Sequence, residues 1–86
     1  MKTIHKYTLQ LTEWQSIQMP AESKILTIQM QNGVPCMWVE VDTSLQSVTR
    51  KFLTVGTGHA INDEVVYLGT YQLYSGGLIM HVMELV

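Results

Sequence analysis

One short stretch of the chain concentrates its chemistry. Gly56-Thr57-Gly58-His59 brings a hydroxyl, an imidazole and successive backbone N–H groups into four residues. Glycine lets a backbone approach a ligand closely. Consecutive N–H groups in such a turn form a concavity suited to a phosphate or carboxylate, and Thr57 and His59 would add side-chain contacts. The same residues also fit an ordinary tight turn, with the glycines taking positive φ and His59 packing locally. They do not form a P-loop, because the GxxxxGK spacing and its lysine are missing.

Other side chains with binding chemistry lie on strand-like segments. Trp38, Tyr67, Tyr71 and Tyr74 offer flat faces, and one such ring stacking on a nucleobase is worth roughly 1–3 kcal/mol. Core and cross-strand packing is the competing role for each. Arg50, the single arginine, can grip a phosphate through two parallel hydrogen bonds or serve as a strand-pair charge. His5, His59 and His81 match no zinc-ligand spacing, and one cysteine supplies no ligand pair; no metal or other cofactor is expected. Cys36, His59 and Asp42 can be written as nucleophile, base and orienter. Almost any sequence allows such a trio, and no strained nucleophile motif accompanies this one. A non-enzyme is expected. Were the chain to degrade a ligand, Glu40, Asp63 or His59 would be the groups to do it.

Composition narrows the partners. Eighty-six residues with net charge −2 contain no basic block, so counterion-driven binding of DNA or RNA has little support. A small anion needs only one or two cations plus N–H groups. Apolar residues make up 47% and charged residues 14%, against about 25% charged in an average domain. In so short a chain, that excess predicts a homo-oligomer that buries part of it. Cys36 stands alone and fits a small core residue independent of oxidation. The first residues are polar and alternating rather than a signal peptide, and no apolar run reaches membrane-spanning length. A cytoplasmic location with no membrane partner is the expectation.

These groups need elements to hold them. Residues Thr3–Leu11 alternate, with Tyr7, Leu9 and Leu11 on one face. Trp14–Met19 alternates again before Pro20. In Lys24–Gln31 the apolar face is Leu26, Ile28 and Met30. Asn32-Gly33 is a strong type I′ hairpin signal, and Val34–Val41 returns with Met37, Val39 and Val41 inward. Ser47–Val55 and Glu64–Tyr74 flank the polar loop Gly56–Asp63, and Gly69 marks a bulge or a close backbone approach. Gly76-Gly77 turns the chain into Leu78–Val86, which is apolar on both faces and wants cover on both sides. About seven strands and no helix predict one all-β domain over 1–86, a small antiparallel sandwich or barrel.

Across nearly its whole length the chain resembles a widespread family of short bacteriophage-encoded proteins of unknown function. The resemblance rests on Met1-Lys2-Thr3-Ile4, Lys6-Tyr7, Met19-Pro20, Ile25-Leu26, Gln31-Asn32-Gly33-Val34-Pro35-Cys36-Met37-Trp38, Gly56-Thr57-Gly58-His59, Gly69-Thr70 with Gln72, and His81-Val82. In size, apolar excess and phage character it is also similar to the viral sponge proteins that sequester cyclic nucleotide signals of CBASS or Thoeris defence, although no binding residue can be matched position by position. That similarity implies an anti-defence protein of the infected host's cytoplasm that captures an anionic nucleotide uncleaved. The residues expected to hold it are Trp38, Arg50, Gly56, Thr57, Gly58, His59 and Tyr71. The alternative is a small β-domain that inhibits or adapts a host or phage protein by edge pairing or an aromatic patch.

Overall fold

A computed structural model describes all residues 1–86. Seven strands follow in order: β1 (Lys2–Thr8), β2 (Trp14–Pro20), β3 (Lys24–Gln31), β4 (Val34–Asp42), β5 (Ser47–Gly56), β6 (Val65–Leu73) and β7 (Leu78–Leu85). They form two antiparallel sheets, β1-β4-β3 and β2-β5-β7-β6. The sheets pack face to face as a sandwich, which decides between the two expected architectures. There is no α-helix, and so none long and apolar enough to cross a membrane.

Alternation builds the core. Met37, Val39 and Val41 of β4 face Phe52 of β5, Val82 of β7 and Tyr71 and Leu73 of β6, with Leu9, Met19 and Ile28 completing the cluster. Asn32 and Gly33 both take positive φ (51° and 78°), the requirement of the tight hairpin joining β3 and β4. Pro20 closes β2 on a sheet edge, where its missing N–H costs no ladder bond.

Two bulges reset the alternation. In β3 the register shifts between Ile25 and Thr27. Leu26 is the extra residue and points outward at 43% exposure, while Ile25 packs against the core in its place. The expected inward Leu26 is corrected accordingly. In β6 the shift lies between Tyr67 and Gly69. Leu68 is the extra residue, and Gly69 beside it is a point of close approach between the sheets: a Cβ there would lie 2.8 Å from Ile28 Cγ1.

β1 is shorter than its pattern. The Gln15 side chain accepts from the Gln10 N–H and donates to the Gln10 carbonyl, both at 3.0 Å. Gln10 leaves the ladder, and Leu11 ends 60% exposed instead of joining the face of Tyr7 and Leu9. The 9–13 loop held this way becomes one wall of the cleft described next.

Candidate ligand-binding site

β5 runs to the end of the sandwich and delivers its last inward residues, Thr54 and Gly56, into a gap between the sheets. The gap is a half-open cleft of about 340 Å³. Leu11, Thr12 and Glu13 form one wall; Tyr71, Leu78 and Met80 form the other; His59 and Ala60 stand over Gly56. The walls are mostly apolar with a few polar groups converging, the usual composition of a small-molecule site.

Thr54 lies at the base of the cleft. The residue is only 4% exposed. Its N–H donates to the Glu13 carbonyl at 2.8 Å, but its hydroxyl has no hydrogen-bond partner. A buried polar group left unmatched costs about 1–3 kcal/mol. Tyr71, 3% exposed, lies against the same space, and burial pushes its phenol pKa above the ordinary value.

The Gly56–His59 segment is a tight turn closed by the His59 N–H donating to the Gly56 carbonyl at 3.1 Å. Gly58 takes φ +89° at the third position of this turn, the place that calls for glycine. The His59 ring lies on Gly56, 3.2 Å from where a Cβ would stand, so the glycine is what admits the imidazole to the cleft mouth. The turn thus spends one N–H on itself and leaves those of Thr57 and Gly58 outside that bond.

The turn also divides its side chains between two faces of the sheet. His59 lines the cleft and also borders the outer face, whereas Thr57 bonds His81 on the outer face alone at 2.7 Å. Gly56, His59 and Tyr71 thus meet at the cleft, while Thr57 and Gly58 line the outer face instead.

Two expected residues are not part of this site. Arg50 lies six residues back along β5, roughly 20 Å away at the usual strand rise. Its guanidinium is engaged on both sides, by Glu84 at 2.5 and 2.7 Å and by the Ser23 carbonyl at 2.5 Å. The Glu84 carboxylate raises its pKa against the opposing effect of burial. It is a strand-pair charge, as the sequence also allowed. Trp38 is half-buried on β4 between Lys6 and Thr27, opposite in phase to the fully buried Met37 and Val39, and so faces outward from the other sheet.

Thr54 and Leu78 line the cleft although neither is among the site residues expected from the sequence. Thr54 lies in a run of four buried residues, Phe52–Val55; a lone hydroxyl inside such a run was the available signal. No three His, Cys, Asp or Glu side chains come together in a group that could hold a metal ion.

Fold and cleft together define a small two-sheet β-sandwich with a preformed pocket at one end. A family model described as a domain of unknown function, DUF7352, matches residues 1–86, and the chain belongs to that family. No curated protein and no solved structure matches the chain.

Proposed function

We propose that this protein is a non-enzymatic binding module that captures a small ligand carrying a planar heteroaromatic ring. The observation that carries this reading is the cleft bounded by Leu11, Tyr71, Leu78 and Met80, with the unpartnered Thr54 hydroxyl buried beneath its lining. A ring between Tyr71, Leu78, Met80 and Leu11 would bury apolar surface, and one polar atom on its edge would satisfy Thr54. The volume suits a nucleobase. Phosphates would sit at the mouth, on the free N–H groups of the turn and on His59; Glu13 on the facing wall keeps anionic groups to that side. Following the similarity to viral sponges, the ligand is a cyclic nucleotide held intact, and the role is sequestration of an immune signal. Capture needs no catalytic group. Depleting a signal present below micromolar concentration requires a Kd in the nanomolar range, about −12 kcal/mol.

The test is a thermal-shift screen against cyclic dinucleotides, cyclic trinucleotides and cyclic ADP-ribose isomers, with chromatography of each hit. A ligand that binds only the folded protein raises its stability by RT ln(1 + [L]/Kd). We expect one class to shift the melting temperature and to be recovered uncleaved. Thr54→Val keeps the side-chain shape and removes the unmatched hydroxyl. The free variant should be as stable as the parent or up to about 1–3 kcal/mol more so, yet bind at least about tenfold more weakly. Equal affinity in the variant removes Thr54 from the site. Silence across the panel favours the protein-interaction reading instead.

A further inference from the structure

A second arrangement lies on the opposite side of the same sheet. His81 of β7 is hydrogen-bonded through both ring nitrogens, Nε2 to Thr57 Oγ1 at 2.7 Å and Nδ1 to Thr70 Oγ1 at 2.9 Å. Thr70 is bonded in turn to the Tyr67 hydroxyl. Four side chains thus form one continuous chain, with exposed residues at its two ends, Thr57 and Tyr67. The chain borders a shallow pocket of about 280 Å³ whose apolar walls include Val55, Ile61 and Met83.

Proton counting shows what this chain can do. A neutral imidazole has one N–H and one lone pair. With His81 neutral, every hydrogen bond in the chain therefore points the same way. One terminal hydroxyl then turns a proton to the pocket side and the other turns a lone pair. With His81 protonated, both nitrogens donate: Thr57 and Thr70 accept, Thr70 donates to Tyr67, and both terminal hydroxyls present protons. The chain becomes two outward donors backed by a positive charge. Among the residues lining the pocket only His59 and Tyr67 titrate besides His81, and no Lys, Arg, Asp or Glu lines it. β5 presents the uncharged Val55 opposite His81, and β6 presents Thr70. No fixed cation competes for an anion here and no fixed carboxylate neutralises the imidazolium.

We infer that this face is a proton-linked site for the anion of a small organic acid, its apolar body against Val55, Ile61 and Met83 and its carboxylate on the Thr57 hydroxyl. His81 does not touch the ligand; it sets the direction of the hydroxyl that does. Binding the anion draws a proton onto His81, so affinity rises as pH falls through the histidine range. The site opens on the opposite face of the sheet from the nucleobase cleft and shares Val55, Gly56 and His59 with it.

Benzoate, an apolar ring with one carboxylate, is the probe. Its affinity is measured by NMR titration of the whole protein at about pH 5 and about pH 8, where histidine changes charge. We expect binding at least about tenfold tighter at the lower pH, with shift changes centred on Thr57, Thr70, Tyr67 and His81. His81→Gln should abolish the pH dependence and His59→Gln should leave it. Thr57→Val, on an exposed turn, should weaken binding at low pH without lowering the melting temperature. Equal affinity at both pH values overturns the proposal. So does a pH dependence that vanishes in His59→Gln and survives in His81→Gln, or shift changes confined to Thr54 and Tyr71.

Discussion

Asp42 shows how a single half-buried side chain leaves a mark on stability. Its Oδ1 accepts from the Ser44 hydroxyl at 2.6 Å and the Ser44 N–H at 3.0 Å, and lies 3.2 Å from the Met1 amine. The Ser44 bonds, with help from the amine, hold the carboxyl down from 3.8 to about 2. A pKa lower in the folded than in the unfolded state means that folding favours the ionised form. This contribution is complete above the ordinary carboxylate value and is lost as pH falls toward about 2. In urea unfolding between about pH 5 and about pH 2, wild type should lose its advantage over Asp42→Asn across that window. Parallel curves would mean that the contacts carry no linkage. At Arg50, truncation to Ala would leave the Glu84 carboxylate, 18% exposed, without its partner. Breaking a buried pair from one side costs 3–5 kcal/mol; partial exposure here reduces that to about 1–3 kcal/mol. We expect a loss of that size in urea unfolding, with ligand affinity unchanged. Weakened binding without loss of stability would return Arg50 to the site.

At the scale of elements, the sandwich is held at a fixed spacing by Gly69. A Cβ there would meet Ile28 Cγ1 at 2.8 Å and Cβ at 2.9 Å, both close to the β3 backbone rather than at a flexible tip. Gly69→Ala should therefore push the sheets apart and cost about 1–3 kcal/mol. In a double-mutant cycle with Ile28→Ala, the pair should cost clearly less than the sum of the single changes. Additive losses would mean that the strain relaxes elsewhere. The strands themselves were legible because period-two alternation and Asn32-Gly33 are local signals. The Leu26 bulge was not, since inserting one residue leaves composition and alternation on either side intact. The cleft was partly legible. Gly56, His59 and Tyr71 stood out as types, but Tyr71 meets the others only through the pairing of β5 with β7 and of β7 with β6, and Thr54, two residues from Gly56, is hidden inside a buried run. Arg50 misled because residue type says what a guanidinium can hold, not what already holds it.

For the whole molecule, the question is where an apolar excess goes. The accessible surface is 5450 Å², close to the roughly 5,200 Å² expected for a folded monomer of this mass. Part of the excess stays at the surface, as at Ile4, Trp14 and Val66, and part is covered within the chain, as the second face of β7 shows. Leu53, Val55 and Met83 form a separate buried cluster on the outer side of the four-stranded sheet, with Val65 packed against it. Met83 is 3% exposed without any partner chain. The cover that the last strand wanted on its second face is thus supplied at Met83 by β5 and β6. This changes what a charge at that position would report. Met83→Glu would bury a carboxylate among Leu53, Val55 and Val65, at a cost of several kcal/mol in a domain whose whole stability is about 5–15 kcal/mol. We expect it to lower the urea midpoint sharply and broaden the amide spectrum, at every protein concentration. Were the variant instead to keep the parent's stability and differ only in sedimenting at lower mass, Met83 would belong to a subunit interface, and the cluster with Leu53 and Val55 would contribute little to holding the sheet.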